Sequence, residues 1–175
     1  MEERPRQMDA RTYLPVLMQL LDEGRQVTLT VTGGSMTPFL VHGRDAICFS
    51  RPKEPLRRGD MAFFRRTDGS YIMHRVCRVS PEGYFLVGDA QQAVEGPVAP
   101  EQVFAVVTKV RRKGNWIGPE DAWWRFFAGP WLWLLPWTPS SSTKSWVVLR
   151  VMTPSCAPAK APSWPKVLWR SLAVF

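Results

Sequence analysis

The chain has 175 residues, a length typical of one domain. Hydrophobic residues make up 45% and charged residues 22%, a globular composition that excludes a wholly disordered chain or a fibrous protein. No run of about 18 apolar residues occurs, which excludes a polytopic membrane protein. The three cysteines are widely spaced without a C-x-x-C pair, so neither a disulfide framework nor a zinc site is expected and a reducing compartment is favoured.

Charge and aromatic residues divide the chain into two regions. Residues 1–110 carry 14 Lys and Arg against 13 Asp and Glu, whereas residues 111–175 carry 9 against 2, a net charge of +7. All nine tryptophans and half of the 16 prolines also lie after residue 110. The two regions are therefore expected to have different physical roles.

The N-terminal unit, residues 1–25, is predicted to form a short helix. Residues 1–11 are mixed in charge and lack the apolar run of a secretory signal or of a membrane anchor. Leucines then recur at helical spacing from Leu14 to Leu21. An amphipathic helix is therefore expected over 13–23.

From residue 26 the hydrophobic period changes to two. Val27, Leu29 and Val31 alternate with threonines, which predicts a half-buried strand. Further short strands, each bounded by Gly, Pro or Asp, are expected at 46–50, 60–66, 70–79, 84–87 and 102–110. Their spacing predicts a mainly β domain with a barrel or sandwich-like core over 26–113.

Ser35 follows two glycines at the end of the first strand, in the segment G-G-S-M-T-P at 33–38. Glycine permits positive φ and close approach of the backbone to a ligand. A serine in such a turn can present its hydroxyl beside backbone N–H groups, as an oxyanion hole requires. The alternative is a tight turn with a locally bonded hydroxyl, and the G-G-S pattern by itself favours this alternative.

The sequence contains two histidines, His42 and His74. By alternation His74 shares a strand face with Ile72 and Val76, so its side chain is expected to point toward packed surface. A partly buried histidine is a suitable base for a serine nucleophile, although a hydrogen-bonded core histidine fits the same pattern. His42 precedes Gly43 and is expected on a loop surface.

Five short segments occur in order across the first region: G-S-M-T-P at 34–38, G-R-D at 43–45, R-G-D-M at 58–61, H-R-V at 74–76 and G-D-A at 88–90. In this order they resemble the signal peptidase I superfamily, which also contains the self-cleaving SOS-repressor peptidases. The H-R-V strand carries a histidine where the bacterial branch has a lysine base. The resemblance is therefore to the histidine-base branch and implies the β-fold of that superfamily.

The resemblance also implies roles for individual residues. Ser35 matches the nucleophile and His74 the general base. Asp89 matches the first acid of the family's G-D box and is expected to orient the imidazole, since its backbone is fixed by the preceding glycine. Glu95 matches a second acid about six positions later and is the alternative third member. No metal or organic cofactor is implied.

The second region predicts an aromatic, basic C-terminal extension. Within residues 114–137, an apolar stretch of 12 residues at 126–137 contains two prolines and is too short to span a bilayer. Tryptophans mixed with basic residues are typical of a segment at a lipid headgroup boundary, although a helix packed against the β domain is the alternative. Residues 138–175 are rich in Pro, Ser, Thr and Ala and are expected to be a flexible tail, with short anchoring patches at 146–149 and 167–169.

The sequence thus predicts a serine endopeptidase resembling signal peptidase I, which cleaves a peptide bond in a precursor or signal peptide. Two alternatives stay open: a dedicated cytoplasmic processing protease for a small precursor peptide, and a non-catalytic binding module that retains the fold. A membrane surface is the expected partner of the aromatic segment, which predicts peripheral membrane association, with a cytoplasmic location as the alternative. No nucleic acid is expected as a partner, because the basic residues are scattered and accompany no recognised motif.

Overall fold

The computed structural model describes residues 10–135 and 150–151. The prediction of a mainly β fold with a short N-terminal helix is confirmed. In chain order the elements of the described residues are α1 (Ala10–Asp22), β1 (Val27–Thr30), β2 (Ala46–Ser50), β3 (Met61–Arg65), β4 (Tyr71–Ser80), β5 (Gly83–Val87), β6 (Glu95–Val98), a 3-10 turn (Pro100–Gln102), β7 (Val103–Arg112), β8 (Asn115–Ile117), α2 (Ala122–Ala128), α3 (Pro130–Leu134) and β9 (Arg150–Val151).

The strands of the described residues form one antiparallel sheet. Its order is β6-β5-β4-β3-β7-β2-β1-β9, and β8 pairs with β7 beside this path. Strands β3 to β6 follow one another as hairpins, whereas β7 enters between β3 and β2. The meander from β3 to β6 therefore brings residues far apart in sequence onto one face.

Three strands were not expected from the sequence. β6 reads E-G-P-V, which combines two residues that disfavour strands. It forms at the sheet edge, where one side of the strand has no partner strand. Proline, which has no N–H, is therefore tolerated there. β8 is a short return strand paired with the end of β7, and β9 pairs with β1 at Leu29 and Thr30. β9 lies in the segment for which little fixed structure is expected.

The expectation that β1 is half-buried is wrong. Leu29 is fully buried, and Thr28 and Thr30 on the other face are only 5% exposed. Strand β1 lies between β2 and β9, and both of its faces are covered. The threonines that suggested a solvent-facing side are therefore interior residues.

Strands β3 and β4 separate two apolar clusters. Phe63 and Met73 belong to the larger cluster, which also receives the buried leucines of α1. Phe64, Ile72 and Val76 belong to the second cluster. The predicted alternation along β4 is therefore confirmed, and each fully buried phenylalanine contributes about 1.5–3 kcal/mol of transfer free energy.

Helices α2 and α3 pack on the sheet with their inner face. The Trp124 and Phe127 rings of α2 contact the buried Phe39 ring at centroid distances of 6.0 and 4.9 Å. Leu132 of α3 packs against Val87 of β5. The described part of the aromatic segment therefore shares its core with the β domain, as the alternative of a packed helix expects for these inner residues.

Several expectations concern residues outside the described ranges. They are the first part of the N-terminal unit and, apart from β9, the flexible tail at 138–175 with its anchoring patches at 146–149 and 167–169. Within the described residues, no helix has the length and apolar character needed to cross a bilayer.

Candidate active site

The turn that carries Ser35 begins where β1 ends. Gly33 adopts a φ of +92°, a left-handed conformation that favours glycine. The turn is closed by hydrogen bonds from the Thr37 N–H to the Gly34 carbonyl (3.1 Å) and from the Leu40 N–H to the Met36 carbonyl (2.8 Å). Ser35 is 5% exposed and is followed by buried apolar side chains. The serine is thus fixed at the edge of the core.

A second loop supports this turn from outside. The buried Asp45 carboxylate accepts a hydrogen bond from the Val41 N–H at 2.9 Å and from the guanidinium of Arg44 at 2.8 Å. Burial acts to raise the pKa of Asp45, but these hydrogen bonds outweigh it and lower that pKa. The G-R-D segment of the resemblance therefore closes the loop that follows the serine turn.

His42 also helps to hold the serine turn in place. Its side chain lies on the exposed loop, as expected, but its Nδ1 accepts a hydrogen bond of 3.0 Å from the Gly33 N–H. Gly33 is two residues from Ser35. His42 therefore ties the surface loop to the first residue of the serine turn, a contact that the sequence did not indicate.

The segment after β5 lies against Ser35. The Ala90 N–H donates a hydrogen bond of 2.9 Å to the Ser35 carbonyl. A Cβ atom at Gly88 would lie 2.6 Å from the same carbonyl oxygen, so only glycine permits this approach. The G-D-A segment is thus in direct contact with the residue matched to the nucleophile.

His74 lies on β4 beside the same segment. It is 2% exposed, and its ring centroid is 6.2 Å from that of Phe64 in the second cluster. The next residue, Arg75, is paired with Val87, the last residue of β5. Residues 88–90 leave β5 directly after this pair. Ser35 contacts residues 88–90, and the charge of His74 acts on one of them, since it opposes the rise that burial causes in the pKa of Asp89.

Glu95 is the acid that contacts His74. Its Oε1 lies 3.1 Å from Nδ1 of the imidazole, an ion-pair distance, but it is not aligned for a hydrogen bond with the ring N–H. Glu95 is paired with Leu86, and Leu86 with Val76, so all three side chains share the face of β4 that carries His74. The register of three strands thus places the carboxylate beside the histidine.

Arg66 holds this carboxylate from the other side. Its Nε and Nη2 donate to the two carboxylate oxygens of Glu95 in a bidentate pair. Burial acts to raise the pKa of Glu95, but the imidazole of His74 and the guanidinium of Arg66 outweigh it and lower the pKa from 4.5 to about 2. Glu95 is therefore a fixed negative charge next to His74.

Asp89, the acid that was expected to orient His74, has a different partner. Both of its oxygens accept hydrogen bonds from Arg75, at 2.8 and 2.7 Å, and both side chains are fully buried. Burial raises the pKa of Asp89, and the guanidinium of Arg75 opposes that shift. Of the two candidate acids, Glu95, the alternative, is therefore the one whose carboxylate lies against the imidazole of His74.

The Asp89–Arg75 pair has a structural role in the site. Arg75 also donates to the Gly59 carbonyl at 3.0 Å, and Trp131 Nε1 donates to the Asp89 carbonyl at 3.1 Å. The pair thus joins β4, the R-G-D-M segment, α3 and the loop that contacts Ser35. The sequence indicated Arg75 only as part of the H-R-V strand and gave no indication of its role. Nothing in the sequence singled out Arg66, because it lies in an ordinary polar hairpin.

The arrangement suits general base chemistry. A carboxylate on Nδ1 orients the imidazole, stabilises its protonated form and leaves Nε2 as the atom that exchanges protons. Comparisons with family models, curated proteins and solved structures found no match for this chain.

Proposed function

We propose that this protein is a serine endopeptidase that resembles signal peptidase I and cleaves a precursor or signal peptide. Ser35 is the nucleophile, His74 the general base and Glu95 the residue that orients it. The observation that carries the proposal is the 3.1 Å contact between the buried His74 and an ionised Glu95, beside the segment that contacts Ser35.

The reaction follows from these positions. The Ser35 hydroxyl attacks the scissile carbonyl carbon while His74 Nε2 accepts its proton. The imidazolium then gives the proton to the leaving amine, and a water activated by His74 hydrolyses the acyl-enzyme. The resemblance implies no metal ion or organic cofactor for these steps.

The alternative of a non-catalytic module is less consistent with the charges around His74. A binding module has no need for a carboxylate whose pKa His74 and Arg66 lower beside a buried imidazole, whereas carboxylates with shifted pKa values are typical of active sites. A dedicated processing protease for a small precursor peptide would use the same chemistry. It differs only in substrate.

A fluorophosphonate probe tests the catalytic proposal directly. Wild-type protein should be labelled, and Ser35→Ala should lose all labelling, because the probe reacts with an activated serine. Ser80→Ala removes a hydroxyl at the far end of β4 and serves as the matched control, which should label normally. Labelling that persists in Ser35→Ala, or that is absent from folded wild-type protein, would contradict the proposal.

The His74 role is tested separately with peptides. Digestion of a peptide library followed by mass spectrometry should show cleavage by the wild type. His74→Gln should lower the rate by several orders of magnitude without loss of fold. Full activity of His74→Gln would remove the histidine from the mechanism, and the cleaved sites would distinguish signal-like from dedicated substrates.

A further inference from the structure

The outer face of α2 and α3 is apolar although it is exposed. Inner positions such as Trp124, Phe127 and Leu132 are buried, as a helix packed on a sheet requires. A surface helix normally carries polar side chains on its other face. Here that face presents an aromatic patch, which consists of Trp123 (55% exposed), Phe126 (37%), Trp133 (72%) and Leu134 (47%).

Arginines surround the aromatic patch. The Arg58 guanidinium lies over the Trp133 ring and the Arg112 guanidinium over the Trp123 ring, each 4.9 Å from the ring centroid. Arg125 is also exposed on α2, next to Phe126 of the patch. Exposed tryptophan beside arginine matches the boundary between acyl chains and headgroups, where the ring is half-solvated and the cation meets phosphate.

We propose that the aromatic patch is a docking surface for an anionic lipid bilayer. Each cation near such a surface strengthens binding about fivefold, and insertion of the rings adds apolar burial. The proposal concerns binding alone and does not depend on the proposed peptidase activity. It gives a location on the molecule to the membrane association that the sequence led us to expect.

Charge argues against two other occupants of the patch. A second copy of this chain would face the patch with the same arginines, because a two-fold interface repeats each group. Residues 136–175 carry five Lys and Arg and no Asp or Glu, so this part of the chain would also bring like charges together. An anionic lipid surface, by contrast, attracts both the arginines around the patch and the basic residues of 136–175.

The patch lies close to the candidate active site. On the inner side of the same helices, Trp131 Nε1 donates to the Asp89 carbonyl at 3.1 Å. Gly59 approaches α2 so closely that a Cβ atom there would lie 2.8 Å from the Cβ of Ala128. One helix layer therefore separates the bilayer surface from the segment that contacts Ser35.

Co-sedimentation of the full-length protein with vesicles tests the proposal. We expect binding to vesicles of phosphatidylcholine with phosphatidylglycerol, weaker binding to phosphatidylcholine alone, and a loss at high salt because the charges are screened. Trp123→Gln combined with Trp133→Gln should weaken binding by about tenfold or more. The matched control, Val16→Gln with Val79→Gln, removes exposed apolar side chains from α1 and β4 and should have no effect.

Arg125→Gln provides a second test that leaves the aromatic side chains intact. It should weaken binding to the anionic vesicles about fivefold and leave binding to phosphatidylcholine unchanged. Absence of binding to anionic vesicles at low salt would overturn the proposal. So would equal binding of the tryptophan variant and the wild type, or a dimer in light scattering that the tryptophan variant converts to a monomer.

Discussion

Glu95 and His74 meet across three strands, with Oε1 of the carboxylate 3.1 Å from Nδ1 of the imidazole. Their strands, β6 and β4, are not neighbours, because β5 lies between them. The contact arises since paired residues of adjacent strands point to the same face of the sheet. A slip of one residue in β6 would turn Glu95 to the other face and remove the contact.

Glu95→Gln should lower kcat by roughly 10³- to 10⁴-fold with the fold intact, because an amide cannot stabilise the imidazolium. Asp89→Asn should act differently. It leaves the buried Arg75 without its counter-charge and should cost about 3–5 kcal/mol of unfolding free energy. Kinetics and urea unfolding of both variants distinguish the roles. If Asp89→Asn is stable and loses more kcat than Glu95→Gln, then Asp89 and not Glu95 orients His74.

The lowered pKa of Glu95 gives a defined pH dependence of stability. A carboxyl whose folded-state pKa is depressed stabilises the native state above its unfolded-state pKa and loses that contribution as the pH falls through its folded-state pKa. Stability should therefore decrease between pH 4.5 and about 2. Urea unfolding at a series of pH values measures this, and Glu95→Gln should show a smaller decrease. Parallel curves for the two proteins would contradict the assignment.

His42 should influence the serine turn, although the sequence placed it only on a loop surface. His42→Leu removes the acceptor of the Gly33 N–H and should lower kcat by up to about tenfold, the worth of one hydrogen bond. His42→Asn keeps an acceptor oxygen near the position of Nδ1 and should restore most of the rate. Equal rates in both variants would show that the contact does not position Ser35.

Two glycines near Ser35 provide a matched pair of alanine substitutions. Gly88→Ala would place a Cβ atom 2.6 Å from the Ser35 carbonyl oxygen, so the turn must move. Gly34→Ala meets its nearest neighbour, Thr37 Oγ1, only at 4.0 Å. We expect Gly88→Ala to lose most fluorophosphonate labelling and to melt at a lower temperature, whereas Gly34→Ala should keep both. Normal labelling of Gly88→Ala would mean that the segment is not needed for the geometry of the serine.

The sequence predicted those features that depend on local pattern. Alternation placed His74 on the face of Ile72 and Val76, and the two glycines before Ser35 indicated a special turn. The partner of His74 could not be predicted in this way, because it depends on the register of β6, which contains a glycine and a proline. The resemblance and the preceding glycine favoured Asp89, but alternation turns Arg75, the neighbour of His74, to the other face of β4, where it binds the Asp89 carboxylate.

The same limit applies to the aromatic region, where composition could not distinguish core from surface. Trp123 and Trp124 are adjacent in sequence, but one is 55% exposed and the other 5%. Their difference is set by the orientation of α2, which packs Trp124 against Phe39. A short helix with tryptophans on both faces gives no sequence signal for the side that meets the sheet.

Trp123 and Trp124 should contribute very differently to the free energy of unfolding. Trp124→Ala should cost about 3–5 kcal/mol of unfolding free energy, because it leaves a cavity in the larger cluster beside Phe39. Trp123→Ala removes an exposed ring and should cost less than about 1 kcal/mol. Urea unfolding measures both substitutions. Truncation after Gly114 removes Trp124 and Phe127 together, so we expect the shortened chain to unfold or aggregate. A stable truncated domain that still labels at Ser35 would show that the aromatic helices are dispensable for the core.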